Sequence, residues 1–312
     1  MKFILKPKSP FNFDLLWKFF AWKDPSPEIY ESGVWKRALR LDKILFPIRV
    51  ESVGTVEKPK LDVEILSEVS EIQVKRLKEK IEWIFNSRMD LEELYRVMEQ
   101  DEKLKEIKER LYGLKPANYA TVFEGVVKTI IQQQISLIGS MHITSRLILK
   151  FGEKTKVGKE MFYEFPSPNS LTEVSLIELK ECGLSKQKAT YIKEFSKCIV
   201  KGSINPEEVI KLSVPDAIEK LIQIKGVGLW TAELVIVTCT NHKEVLPAGD
   251  LGVRRAISNF SSKDLMTEEE IRKFTEKWGK FKALIAYYLI CNERSNNKIK
   301  KEVKKYANNS SL

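Results

Sequence analysis

The spacing of apolar residues divides the chain into a mixed first third and a helical remainder. In residues 1–114, short apolar stretches typical of strands alternate with longer stretches of helical period. The predicted strands are residues 2–6, 34–41, 44–50 and 61–66, and the predicted helices are residues 13–22, 71–85 and 91–111. We therefore expect an N-terminal α+β sheet domain over residues 1–114.

From residue 115 onward the apolar period is helical almost throughout. The segment 113–118, Gly-Leu-Lys-Pro-Ala-Asn, interrupts a charged helix and marks the boundary between the two parts. Breaks in the later pattern fall at 152–168, 183, 202–206, 215 and 241–249. We expect a helical core over residues 115–291, followed by a polar, lysine-rich tail, 292–312, with a weak helical pattern at 299–306. The predicted fold class is mainly α with an N-terminal α+β domain.

A glycine-containing turn joins two short predicted helices, residues 217–224 and 229–239. The turn is Lys225-Gly226-Val227-Gly228, and we expect it to be too tight for large side chains at either glycine. This pattern predicts a helix-hairpin-helix. The second helix begins with unpaired N–H groups and a positive dipole end, which suit a phosphate of the DNA backbone. Such contacts carry no information about base sequence.

An isolated acid, Asp250, stands where the next predicted helix, residues 251–260, begins. It follows a loop that contains Pro247 and Gly249. Two interpretations are open: Asp250 is an N-cap, or it is a carboxylate available for chemistry. Both roles are compatible, since one oxygen can accept helix N–H bonds while the other faces a ligand.

The composition agrees with a polyanionic partner. Lys and Arg number 53 against 43 Asp and Glu, a net charge of +10, which favours binding to phosphates. A Lys/Glu-rich solvated surface is the alternative explanation. No apolar stretch is long enough to span a membrane and the N-terminus lacks a signal-peptide pattern, so we expect no membrane partner and an intracellular protein. The four cysteines form no CxxC pair, which argues against a zinc site.

Several motifs together resemble one known family. They are Gly-Val-Gly-Leu-Trp-Thr-Ala at 226–232, Leu-Pro-Ala-Gly-Asp-Leu-Gly-Val-Arg-Arg at 246–255, the glutamine-containing segment 123–136, and the shorter segments 183–189 and 278–282. They resemble the helix-hairpin-helix/Gly-Pro-Asp (HhH-GPD) superfamily of DNA glycosylases over roughly residues 115–291. Within it, the sequence is most similar to the 3-methyladenine DNA glycosylase II branch, the AlkA-like enzymes. The N-terminal unit likewise resembles the sheet domain of such enzymes.

The resemblance implies a role for several residues. Asp250 would be catalytic, because a carboxylate near the sugar stabilises the oxocarbenium character that develops as the C1′–N bond breaks. The damaged base must leave the duplex first, and Gln134 aligns with the residue that fills the gap, with Gln133 near the base pocket. Trp230 would stack against the extruded base. The structural alternatives are a solvated helix end for the glutamines and core packing for Trp230.

Departures from the family pattern refine these expectations. Lyase-competent relatives carry a lysine two residues after the second hairpin glycine, where this chain has Trp230, so we expect a monofunctional enzyme. Lys225 would contact phosphate, or would be a surface lysine without a role. Ile290 occupies a position where the family often has tryptophan. Tyr287 and Tyr288, or an N-terminal aromatic residue such as Trp22, would then complete the base pocket, unless each is packing.

The expected function is therefore base excision repair by a DNA-3-methyladenine glycosylase II-like hydrolase that removes alkylated purines. The alternatives are an 8-oxoguanine glycosylase with or without AP-lyase activity, and a non-catalytic DNA-binding protein. We expect no iron–sulfur cluster and no cofactor beyond a Na⁺ or K⁺ ion at the hairpin, bound by the carbonyls of Ile224 and Val227. The expected partner is double-stranded DNA with damaged bases. The protein would act as a monomer in the cytoplasm or nucleoid.

Overall fold

The structure, a computed structural model, describes the backbone of residues 1–19 and 27–309 and the side chains of those residues up to Ser295. The first predicted helix begins where expected and forms α1, Phe13–Lys18. Its predicted end and Trp22 lie outside the described residues. Within the described part of the chain, no helix is long and apolar enough to cross a membrane.

A five-stranded antiparallel sheet forms the N-terminal part, in the order β1-β5-β4-β3-β2. Its strands are β1 Lys2–Leu5, β2 Ile29–Glu31, β3 Val34–Leu41, β4 Ile44–Ser52 and β5 Leu61–Ile65. Burial alternates along β5, where Leu61, Val63 and Ile65 are buried and the two acids between them are not, as the period-two pattern predicts. Helix α2, Glu71–Ile84, packs its buried residues in the same apolar cluster. The α+β character of this part is confirmed.

The single helix predicted over 91–111 is wrong, because two helices occupy that segment. They are α3, Glu92–Met98, and α4, Glu102–Arg110. Asp101 separates them: its side chain accepts hydrogen bonds from the backbone N–H groups of Lys103 and Leu104 and so begins a new helix. The apolar period continues across the break because both helices bury residues in one cluster.

The segment 152–168, predicted as a break, contains a second sheet of two short strands. These are β6, Lys154–Val157, and β7, Glu160–Tyr163. The strands are short and rich in charged residues, which explains the weak sequence signal. Glu160 forms ion pairs with Lys36 and Arg49, so the β6–β7 pair is attached to the N-terminal sheet.

Helices make up the rest of the chain, as predicted. They are α5 Val122–Gln132, α6 Leu137–Phe151, α7 Pro168–Glu173, α8 Leu176–Glu181, α9 Lys186–Val200, α10 Val214–Ile222, α11 Leu229–Cys239, α12 Leu251–Phe260, α13 Glu268–Thr275 and α14 Lys282–Asn309, with 3-10 helices at Pro206–Lys211 and Glu276–Phe281. Helix α14 continues into the predicted tail and includes the segment 299–306. The mainly α fold class is confirmed.

Two apolar clusters divide the helical part between them. One contains α5, α9, α10 and α11. The other contains α12 and α14 together with α3 and α4, so helices that precede residue 114 pack against the last helices of the chain. The domain boundary at 114 stays a prediction. Asp250 lies at the start of α12, while the hairpin joins α10 to α11, so the two candidate features belong to different clusters.

A buried ionic network fixes the sheet against α5. Arg37 on β3 is 1% exposed and donates to Glu124 (2.8 Å) and Glu164 (2.6 Å). Lys128 pairs with Glu124 at 2.6 Å. Burial raises the pKa of Glu124, but Arg37 and Lys128 outweigh it and lower that pKa to about 2. Because α5 ends at the glutamine segment, this network helps to place that segment relative to the rest of the molecule.

Candidate active site

The hairpin is present, and α11 begins and ends at the expected residues. Helix α10 begins three residues earlier and ends two residues earlier than the predicted helix 217–224. Ile224 and Val227 are buried in the apolar cluster and anchor the turn. Gly226 has a φ of +89°, and a Cβ there would lie 2.1 Å from the ring of Tyr191. Gly226 is therefore required by the fold.

The expectation that the turn excludes side chains at both glycines is wrong at Gly228. This residue has a φ of −96°, and a Cβ would meet nothing within 4 Å. It is the N-cap of α11 and supplies no side-chain cap, so the first N–H groups of that helix remain uncovered. The packing of the turn therefore does not require a glycine at position 228. The lack of a side chain there leaves the N-terminus of α11 open to a ligand.

Lys225 projects from the same turn into solvent. Its Nζ lies 3.1 Å from a carboxylate oxygen of Glu194, and the two side chains are 67% and 44% exposed. An exposed pair of this kind is weak. The Lys225 ammonium can therefore exchange this partner for a phosphate at small cost.

The two carbonyls expected to bind a monovalent cation belong to the anchored part of the turn. The Ile224 carbonyl accepts the Val227 N–H at 2.9 Å and keeps a second lone pair. Neutral backbone oxygens suit a hard cation, but two of them form only part of a coordination shell. The residues fit such an ion only if water or phosphate oxygens complete the shell, and the cation stays a prediction.

Asp250 divides its two oxygens between two tasks. It is the N-cap of α12, and Oδ1 accepts the N–H groups of Gly252 (2.8 Å) and Val253 (3.1 Å). Oδ2 accepts the indole Nε1–H of Trp230 at 3.3 Å. The backbone bonds fix the direction of the carboxylate, while Oδ2 keeps lone pairs for a ligand. Capping and a chemical role are thus geometrically compatible at this residue.

Trp230 lies at the junction of the hairpin and the Asp250 loop. It is half-buried, whereas Ala232 and Val235 on the same helix are fully buried. Its ring is also near Gly249, where an added Cβ would lie 3.8 Å from Cδ1. A half-buried indole with its edge on Asp250 is suited to stack with a ligand on its exposed part.

Gln133 and Gln134 point to different tasks. The side chain of Gln133 donates to the Gly226 carbonyl (2.9 Å) and to Thr231 Oγ1 (3.1 Å), so it contacts the hairpin. Gln134 is exposed and has a φ of +54°, which is uncommon for a residue other than glycine. Of these two glutamines, Gln134 is therefore the one that projects from the molecule as a gap-filling residue would.

Helix α14 carries Tyr287 and a residue missed from the sequence, Arg294, which interacts electrostatically with Asp250. Burial and the adjacent Cys291 thiol hold the pKa of Tyr287 well above its ordinary value. Burial lowers the pKa of Arg294, while the charges of Cys291, Tyr287 and Asp250 act in the opposite direction. Arg294 Nη1 also donates to the Phe19 carbonyl at 2.9 Å. Tyr287, Cys291 and Arg294 have the i, i+4, i+7 spacing of one helix face. The predicted core ends at residue 291, so the sequence pattern did not include Arg294 in that face.

Comparison with known proteins places this geometry in a family. Residues 127–281 match the model of the HhH-GPD superfamily of base excision DNA repair proteins. A solved structure, 3-methyladenine DNA-glycosylase from Archaeoglobus fulgidus, is 33% identical, with 94% of this chain and 98% of that chain covered and a TM-score of 0.84. This chain belongs to the HhH-GPD superfamily. It is a DNA glycosylase of the base excision repair type.

Two further relatives bear on the substrate. The DNA-3-methyladenine glycosylase of Bacillus subtilis (strain 168) is 23% identical over 243 residues, which cover 76% of this chain and 80% of that protein. A probable N-glycosylase/DNA lyase of Methanothermobacter thermautotrophicus is 23% identical over 282 residues, covering 84% of this chain and 87% of that protein. The names of these two relatives therefore include more than one reaction, and only the Bacillus protein's name specifies a substrate.

Proposed function

We propose that this glycosylase removes alkylated purines from double-stranded DNA by hydrolysis and has no lyase activity. The observation that carries the proposal is the contact between Trp230 and Asp250, 3.3 Å from Nε1 to Oδ2. An aromatic ring, and not an amine, lies directly beside the candidate catalytic carboxylate. The names of the Archaeoglobus and Bacillus relatives support this assignment to the 3-methyladenine branch.

Asp250 acts on the sugar. As the bond from C1′ to the base nitrogen breaks, positive charge develops on the deoxyribose, and a fixed carboxylate stabilises that charge in the transition state. The two N–H bonds to Oδ1 hold the group in place before the substrate arrives. Oδ2 is the oxygen left to face the sugar and to orient or deprotonate a water molecule.

Trp230 acts on the base. A 3-methyladenine or 7-methylguanine base carries positive charge in DNA, and an indole face attracts a cation. Such a base is already a good leaving group, so stacking and one carboxylate suffice without a general acid. Tyr287 is the proposed second aromatic residue of the pocket. Because Trp230 cannot form a Schiff base with the sugar, the abasic strand stays intact.

The hairpin holds the damaged strand. Uncovered N–H groups at the start of α11 and the exposed Lys225 ammonium both favour a phosphate. A Na⁺ or K⁺ ion at the Ile224 and Val227 carbonyls would add one positive charge beside that phosphate. Gln134 fills the space that the extruded base leaves and offers hydrogen bonds to the unpaired base opposite.

The test compares three duplexes that contain 7-methylguanine, 8-oxoguanine or no lesion. We expect free base from the methylated duplex, strand cleavage only after alkali, and no adduct after borohydride reduction. A strong preference for 8-oxoguanine with a trapped adduct would contradict the proposal and would move this chain towards the lyase-type relative. Binding without release of any base would leave only a DNA-binding role.

The monomeric state and the cytoplasmic or nucleoid location stay predictions. Gel filtration with multi-angle light scattering checks the monomeric state.

A further inference from the structure

The segment that carries Gln134, residues 132–135, is a turn whose own backbone hydrogen bonds are weak. We call it the wedge turn. The Gln133 N–H reaches the Ile130 carbonyl at 3.3 Å and the Ile135 N–H reaches the Gln132 carbonyl at 3.4 Å, both long for a backbone hydrogen bond. Gln134 also occupies the left-handed region, with a φ of +54°, which is unfavourable for a residue with a Cβ. Something outside the turn must hold it in this conformation.

Lys188, in the first turn of α9, contacts the wedge turn directly. Its Nζ donates to the Ile131 carbonyl at 2.8 Å and to the Gln133 carbonyl at 2.5 Å. These are carbonyls at the end of α5, where helix bonding leaves acceptors unused and the helix dipole favours a cation. One ammonium group therefore joins the last turn of α5 to the peptide that precedes Gln134.

The same turn is attached to the hairpin through Gln133, whose amide donates to the Gly226 carbonyl. A cleft of about 380 Å³ lies between these parts, with Lys188 and Gly228 among its lining residues. Burial lowers the pKa of Lys188, in accord with its position at the edge of this cleft. The third N–H of the ammonium is left for water or a phosphate oxygen.

We propose that Lys188 is a positioning residue, whose ammonium holds the wedge turn so that Gln134 enters the duplex as the base leaves. This inference rests on the proposed function, and in particular on Gln134 as the gap-filling residue. The alternative is that Lys188 is one more phosphate contact. The two differ because a positioning residue acts only through Gln134, whereas a phosphate contact acts on all DNA.

The test is a double-mutant cycle of Lys188→Met and Gln134→Ala. Lys186→Met, which removes a charge from an exposed residue on the same helical turn, is the matched control. The readouts are hydrogen exchange at the wedge turn, affinity for undamaged duplex, single-turnover release of 7-methylguanine, and the fluorescence of a 2-aminopurine placed beside the lesion, which reports extrusion.

We expect Lys188→Met to raise exchange at the wedge turn about tenfold and to lower both extrusion and base release about tenfold. Affinity for undamaged duplex should fall no further than in Lys186→Met. In the Gln134→Ala background, Lys188→Met should have no added effect on extrusion or release. Unchanged melting temperatures would show that each variant is folded.

Four results would overturn the proposal. Losses that multiply in the double variant, or unchanged exchange at the wedge turn, would show that Lys188 does not act through Gln134. A loss of affinity for undamaged duplex beyond that of the control would make Lys188 a phosphate contact. Full extrusion in Gln134→Ala would reject Gln134 as the gap-filling residue and this inference with it, while base release from the wild type would still support the glycosylase assignment.

Discussion

The hairpin and the wedge turn each contain one residue in the left-handed backbone region, and both line the same cleft. They are stabilised in different ways. The hairpin places glycine in the left-handed position, and the buried side chains of Ile224 and Val227 anchor it from within. The wedge turn places Gln134 there and depends on bonds from Lys188 and Gln133 to other elements. A turn stabilised by its own residues suits a rigid grip on a phosphate. One held from outside can adjust while a base is exchanged for a side chain.

Both turns hold DNA in this proposal, and the chemistry lies in neither. We therefore expect the largest effect on activity from Asp250→Asn, with base release lowered about a hundredfold or more, because the amide cannot stabilise the sugar cation. Asparagine caps helices about as well as aspartate, so the melting temperature should move little. Single-turnover release measured beside duplex affinity checks this.

Equal release by Asp250→Asn and the wild type would contradict the catalytic assignment. A large fall in melting temperature would show instead that the carboxylate serves mainly as the cap of α12. Affinity for DNA is the control, since a variant that still binds has kept both turns in place.

Substitutions at the two hairpin glycines test two properties separately: the stability of the fold at Gly226 and the access of DNA to the N-terminus of α11 at Gly228. Gly226→Ala should destabilise the protein by about 2 kcal/mol or more, because alanine is strained at this φ and its Cβ meets the Tyr191 ring. Gly228→Leu should leave the melting temperature nearly unchanged, since nothing lies within 4 Å of the added Cβ. It should weaken binding to damaged and undamaged duplexes alike, by about tenfold, because it covers the N-terminus of α11.

Thermal melts and titrations at two salt concentrations check this pair. Affinity should fall steeply with salt in the wild type, as the net charge of +10 implies. If Gly228→Leu lost affinity only for duplexes with one kind of lesion, the hairpin could not act through the DNA phosphates, because phosphate contacts do not depend on the base.

This difference between the turns also explains what the sequence could predict. The ends of α11 and the position of Asp250 at the start of α12 are local patterns of glycine, aspartate and apolar spacing, and all are found as expected. The contact of Lys188 with the wedge turn joins residues more than 50 positions apart and has no local signal. Arg294 was missed for a related reason, since its electrostatic interaction with Asp250 depends on how α14 packs.

Fold prediction failed where tertiary contacts override a local pattern. The break between α3 and α4 depends on one capping side chain within a continuous apolar period. The β6–β7 hairpin is short and charged, and ion pairs attach it to the N-terminal sheet. Gly228 shows the opposite case, because a glycine in a tight turn predicts a steric requirement and the structure has free space there.

The smallest expected effect concerns the strain at Gln134. Gln134→Gly and Gln134→Ala both remove the gap-filling side chain, so both should lower extrusion and base release to the same extent. They differ in the backbone: glycine adopts a φ of +54° freely and alanine does not. We expect the glycine variant to be the more stable of the two by about 1 kcal/mol, a value reduced by the greater freedom of glycine in the unfolded chain. Denaturant titration of the two proteins measures this difference. Equal stability would mean that the left-handed conformation costs nothing here and that the wedge turn needs no support from outside.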